Sequence, residues 1–129
     1  MPVWGGVYAN NLVNHFRDFI ANELEGETVT LTTDLWTSVS NDHYLAVTAH
    51  FIDDTWSLRS RILGAHPVTA VSATAAVVQA SMSSVLSRYR LSLDDIHALA
   101  ADRGSNIVKM VQDANVDKID CLCHKLDNG

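Results

Sequence analysis

Apolar residues recur along this chain with two different periods. Between Val7 and Leu24 the period is that of a helix. Val13, Phe16, Ile20 and Leu24 share one face, Leu12 and Phe19 widen it, and Arg17, Asp18 and Glu23 lie off it. The pattern predicts a leading helix over 7–25 with Phe16 and Phe19 in the core. Gly26 is the expected C-terminal stop. Pro2, Gly5 and Gly6 predict a loose entry over residues 1–6.

The period then shortens to two. Thr28 to Asp34 is rich in β-branched residues and reads as a first strand. A polar turn over Trp36–Asp42 leads to a second strand, about Tyr44 to Ile52, where Leu45, Val47, Ala49 and Phe51 alternate with smaller or polar residues. After Asp53-Asp54, a third strand runs from about Trp56 to Leu63, with Leu58 and Ile62 alternating with Arg59 and Arg61. Short connections make these three an antiparallel meander. Gly64 to Thr69, with Pro67, reads as a loop.

Helical spacing returns over Ser72–Tyr89, where Val78, Met82, Val85 and Tyr89 line one face. Ser92–Asp95 is a connector, and Ile96–Asp102 a fourth strand. Ser105 is the expected N-cap of a helix from Asn106 to about Asp113, with Ile107, Val108, Met110 and Val111 as its apolar content. Asp117–Leu122 reads as a short fifth strand.

This order has a geometric consequence. A helix between the meander and the fourth strand is a crossover, so the fourth strand lies parallel to its neighbour. The natural neighbour is the first strand, whose other edge is taken by the second. Asp34 and Asp102 each end their strand, so a parallel pairing brings both carboxylates to one sheet edge, on strands about 4.8 Å apart. Taken singly, a strand-end Asp is as well explained by a turn cap. Two together repel unless a cation joins them, and Mg²⁺ or Mn²⁺ accepts such oxygen ligands. The fold predicted is α/β, a ribonuclease-H-like mixed sheet of three antiparallel strands followed by parallel strands with crossover helices. Such a site supports phosphodiester cleavage and strand transfer with two metal ions, and a third acidic residue normally completes it.

Composition narrows the partners. The chain has 129 residues, 47% of them apolar, and its mean hydropathy is near zero; these values predict one domain, or a piece of one, with its own core. No stretch is long and apolar enough for a membrane span, and no secretory signal is present, so an intracellular, non-secreted protein is expected. The net charge is −6, with only nine Lys and Arg. A surface that grips DNA unaided is usually basic, so any DNA affinity must draw on metal ions, a partner subunit or further sequence. Cys121 and Cys123 are too close for a favourable disulfide, consistent with a reducing compartment.

Four blocks carry a resemblance. They are Leu31-Thr-Thr-Asp-Leu-Trp-Thr-Ser38, Tyr44-Leu-Ala-Val-Thr-Ala-His-Phe-Ile-Asp53, Ala101-Asp-Arg-Gly-Ser-Asn-Ile-Val-Lys-Met110, and Cys121-Leu-Cys-His124 with Leu126. In this order and spacing they resemble the hAT transposase superfamily, in particular its zinc-finger BED-type domesticated relatives. The likeness covers about Asn11 to Leu126. It implies the N-terminal part of a ribonuclease-H-like catalytic domain, spanning 28–126 in sheet and helices behind the leading helix. It also implies Asp34 and Asp102 as catalytic and metal-binding aspartates, Mg²⁺ or Mn²⁺ as cofactor, DNA as the partner of the full-length parent, and the nucleus as location. Cys121 and His124 match the family's Cys-x-x-His element, implied to help handle DNA ends. Read without the resemblance, Cys121, Cys123 and His124 are three zinc-type ligands lacking the fourth that a structural site needs.

The chain departs from the family in two ways. Arg103 stands where Asn usually follows the second aspartate. The family's helical insertion, catalytic glutamate, dimerisation region and BED finger have no counterpart in the sequence. The resemblance therefore implies a transposase fragment, ancestrally a metal-dependent DNA-cleaving and strand-transferring enzyme, inactive alone for want of its third acid. The alternative is a non-catalytic domesticated domain acting in DNA- or chromatin-associated protein interaction. An unrelated nuclease would need its third acid among Asp53, Asp54, Asp120 and Asp127. Trp36, Arg103 and Lys109 are further DNA-contact candidates, although a solvated helix face also explains Lys109. His15, His43, His50, His66 and His97 show no ligand spacing. A sheet face left bare by a missing region would invite self-association, so a homo-oligomer or a missing C-terminal half is the expected covering partner.

Overall fold

The computed structural model describes residues 3–68, 74–102 and 104–121. Its elements run α1 (Val3–Leu24), β1 (Val29–Thr37), β2 (His43–Ile52), β3 (Leu58–Val68), α2 (Ala75–Ser87), a single 3₁₀ turn (Leu93–Asp95), β4 (Ile96–Ala101), α3 (Ser105–Ala114) and β5 (Asp117–Asp120). The five strands form one mixed sheet in the order β3-β2-β1-β4-β5. β1–β2 and β2–β3 are antiparallel, and β1–β4 and β4–β5 are parallel. This is the ribonuclease-H-like arrangement expected from the order of elements.

One face of the sheet forms the core. Val29 and Leu31 of β1, Leu45, Val47, Ala49 and Phe51 of β2, and Leu99 and Ala101 of β4 are buried in one cluster with Val78, Met82 and Val85 of α2, Tyr89 in the turn that follows it, and Ile107, Met110 and Val111 of α3. The α2 face read from spacing is therefore the buried face, and the Tyr89 hydroxyl donates to the Leu63 carbonyl at 2.7 Å. The opposite face bears Thr30, Thr32, Asp34 and Trp36 of β1, paired with His50, Thr48, Ala46 and Tyr44 of β2. No described helix packs on that face.

Several boundaries differ from the sequence reading. α1 begins at Val3, so residues 3–6 belong to the helix and not to a loose entry; glycine costs a helix about 1 kcal/mol without forbidding it. Gly26, at φ +78°, does end the segment. β3 continues through Pro67 to Val68, where a loop was expected. Gly64, at φ +147°, absorbs a bulge opposite Val47 and Thr48, and β3 is an edge strand, where proline's missing N–H is tolerated. Trp56 lies in the β2–β3 turn and not in the strand, with φ +60°. Thr74 caps α2, its hydroxyl accepting from the Val77 N–H at 3.4 Å; the expected start at Ser72 lies outside the described residues. Gly104, not Ser105, is the N-cap of α3.

The largest correction concerns α1. Phe16 and Phe19, read as core, are 57% and 58% exposed. Among the helix residues whose burial is described, only Ala21 and Leu24 are buried, and Ile20 is partly so. The last turn is tied down by the Glu23 carboxylate, which accepts two bonds from Arg61 at 2.6 and 2.7 Å, and by Arg90 donating to Asn22 at 2.7 Å. The apolar residues of the earlier turns, Tyr8, Leu12, Val13 and Phe16 among them, stay largely exposed.

Candidate functional site

The pairing of β1 with β4 runs Thr30↔Ala98, Leu31↔Leu99 and Thr32↔Ala100. Two residues further along both strands come Asp34 and Asp102. Because paired residues share a face and side chains alternate, both carboxylates belong to the open face. Here β1 continues alongside β2 as far as Thr37↔His43, while β4 continues alongside β5 as far as Ala101↔Asp120. The two aspartates thus flank the point where the central parallel pair diverges, at the carboxyl ends of its strands. Open α/β sheets bind their ligands at such points.

The surroundings leave room. Asp34 is exposed and faces only the methyl of Ala46 across β2. Asp102 is half-buried, and its Oδ1 accepts from the Gly104 N–H at 3.0 Å, a local turn that fixes the carboxylate. Gly104 is confined as well. A β-carbon there would lie 3.1 Å from Asp102 Oδ1 and 3.0 Å from Asn106 Oδ1. Asn106, whose Oδ1 accepts from the Ile107 N–H at 2.9 Å, therefore borders the site. Sequence reading passed over it as the start of a helix; its position four residues after Asp102, at the first turn of α3, was the available signal.

The other candidates are distributed unevenly. Trp36, 41% exposed, lies two residues beyond Asp34 on the same face and stacks on Tyr44, with ring centroids 5.6 Å apart. The Cys121 N–H donates to the Ala101 carbonyl at 2.9 Å, which sets Cys121 beside Asp102 one strand further out. Lys109 is on α3, away from the open face, with Asp113 at 3.9 Å, as a solvated helix face would have it. Arg103, Cys123, His124 and Asp127 lie outside the described residues. Of the alternative third acids, Asp53 and Asp54 are at the opposite end of the sheet. Asp53 is occupied in its turn: hydrogen bonds from the Thr55 hydroxyl, Arg59 and the Ser57 N–H hold its carboxyl well below the usual carboxylate range. Asp120 is at the right end, beside Ala101 on β5, with Lys118 as its partner.

Asp34 and Asp102 are hard oxygen donors, one open to solvent, and suit a hexacoordinate cation that keeps several waters. Among the described residues, no group of three or more His, Cys, Asp or Glu side chains is placed to hold a metal.

Comparison with known proteins agrees with this topology. The family model of the ZBED1 RNase-like domain matches residues 32–125, which include both aspartates. The chain belongs to this family, within the hAT transposase superfamily. Two maize (Zea mays) proteins described as putative AC transposase and putative AC9 transposase are each 30% identical to it over 109 residues. The match takes in 74% of this chain but 14% and 13% of theirs, so the chain spans only a small part of the length of these relatives. Within this ZBED1-type domain, the matched stretch carries the divergence point of β1 and β4 and omits all of α1.

Proposed function

We propose that this domain supplies two of the carboxylates of a metal-dependent DNA-cleaving and strand-transferring site of the hAT type. The observation that supports the reading most is the β1–β4 register, which brings Asp34 and Asp102 to one face of one sheet edge. Asp34 and Asp102 are the residues to hold Mg²⁺ or Mn²⁺, which when bound lowers the pKa of water or a 3′-hydroxyl and stabilises the leaving oxygen. The Gly104 N–H orients the Asp102 carboxylate. Trp36 and Tyr44 offer an aromatic surface beside the site on which an unpaired base can stack. Cys121 borders the side towards β5, and the resemblance adds His124 as a contact for DNA ends. With two acids only, the isolated chain holds metal but does not cut DNA; the third acid comes from outside the described residues. The acidic balance of the chain agrees with DNA being gripped chiefly by other parts of a nuclear parent protein.

A second reading is a domesticated domain that no longer catalyses and serves protein interaction near chromatin. The apolar residues exposed on the open face favour it. Calorimetric titration of Mn²⁺ into the wild-type chain and into Asp34→Asn/Asp102→Asn separates the two. Binding that disappears in the folded double variant supports the metal reading. Absence of binding in the folded wild type overturns it and leaves the interaction role. Metal-dependent plasmid nicking by the pure wild-type chain, lost in Asp34→Asn, would overturn the statement that two acids do not suffice.

A further inference from the structure

Asp102, Gly104 and Asn106 occupy alternate positions where β4 passes into α3. Gly104 has φ −54° and ψ 133°, a conformation open to any residue, so its backbone does not call for glycine. Space does. A β-carbon there would lie 3.0 Å from Asn106 Oδ1 and 3.1 Å from Asp102 Oδ1, so close that both oxygens would have to give way. Both are pinned where they are. The Gly104 N–H donates to Asp102 Oδ1 at 3.0 Å, and the Ile107 N–H donates to Asn106 Oδ1 at 2.9 Å. The second bond also fixes which end of the amide is the oxygen.

Two oxygens that each lie about 3 Å from one point are at most about 6 Å apart, a span that one water can bridge. Each is an acceptor, so neither bonds to the other. All three residues are half-buried, where acceptors turned to one gap repel unless a donor or a cation joins them. The start of a helix ordinarily repels cations. Here two of the N–H groups responsible are taken up by these same oxygens.

We infer that Asn106 is a positioning residue for the cation held by Asp34 and Asp102. Its amide oxygen and Asp102 Oδ1 together hold one water of the cation's shell, in the gap that Gly104 leaves. The inference rests on the metal reading above and adds a third oxygen to it, from α3. Mg²⁺ and Mn²⁺ keep several waters at protein sites. A water that donates one proton to each oxygen keeps a lone pair for the cation. An amide oxygen can accept two hydrogen bonds, so the bond from Ile107 is retained. This role differs from that of the third acid, because a neutral amide orients a water without supplying charge.

Calorimetric titration of Mn²⁺ into the full chain tests it, with thermal melting of the metal-free protein alongside. Asn106→Ala should weaken Mn²⁺ binding about tenfold or more, as the loss of other groups that orient a metal's ligands does. The metal-free melting temperature should move by only a few degrees. Asn106→Asp keeps an oxygen in place and should bind at least as tightly as the wild type. Gly104→Ala keeps every oxygen but closes the gap, and should weaken binding by a similar factor although alanine suits the backbone. A merely structural role gives the reverse, a lower melting temperature with affinity unchanged. Binding that survives in Asn106→Ala and Gly104→Ala, yet is lost in Asp34→Asn/Asp102→Asn, overturns this inference and leaves the metal reading standing. So does a weakening in Asn106→Ala that Asn106→Asp does not restore. A folded wild type that binds no Mn²⁺ overturns both.

Discussion

α1 and α2 carry the same kind of signal and meet different fates. Each places apolar residues at helical spacing. In α2, Val78, Met82 and Val85 are fully buried; in α1, Phe16 and Phe19 are more than half exposed. The difference lies in how each helix is attached. α2 is the crossover between β3 and β4, so both its ends are fixed by strands of one sheet and its apolar face has to cross that sheet. α1 precedes β1 and is held at its C-terminal end alone. Periodicity reports that a face will seek apolar company. It does not report which surface provides it, nor whether that surface lies in the same chain.

Substitutions sharpen this contrast. The largest effect is expected from Met82→Ala in α2, a loss of about 2–5 kcal/mol in urea unfolding, as for other large-to-small changes in packed cores. Tyr89→Phe should cost about 1–2 kcal/mol, because it leaves the buried Leu63 carbonyl without its donor. Glu23→Gln removes the charge from the forked pair with Arg61, whose side chains are about 30% exposed; a loss of about 0.5–1 kcal/mol is expected, with faster amide exchange in the last turn of α1. The smallest effect is expected from Phe16→Ala, within about 0.5 kcal/mol in protein dilute enough to be monomeric. A Phe16→Ala cost approaching that of Met82→Ala would break the comparison, since it would mean that the outer side of α1 packs within its own chain.

The candidate site was more legible than the helix packing. Asp34 and Asp102 stand out because each interrupts an apolar strand pattern, and the order of elements alone makes their strands parallel neighbours. In the structure the parallel register ends at Thr32↔Ala100, two residues before each aspartate. Asn106 and Gly104 were harder to see. Their part depends on the Asp102 carboxylate folding back onto the Gly104 N–H, a contact between backbone and side chain that leaves no periodic trace. β3 was cut short at Leu63 because Gly64 and Pro67 usually end strands. Both are accommodated at a sheet edge, and whether a strand lies at an edge is settled by the whole sheet.

By itself, the sequence determined the alternation of periods, hence the elements, their order, the parallel crossover and the strands whose ends carry Asp34 and Asp102. These follow from local sterics and from the few ways a short connection can run. Tertiary structure alone decided which apolar faces are covered. It buried α2 and left the outer side of α1 in solvent. Burial is a property of two surfaces brought together, and a sequence pattern describes only one of them.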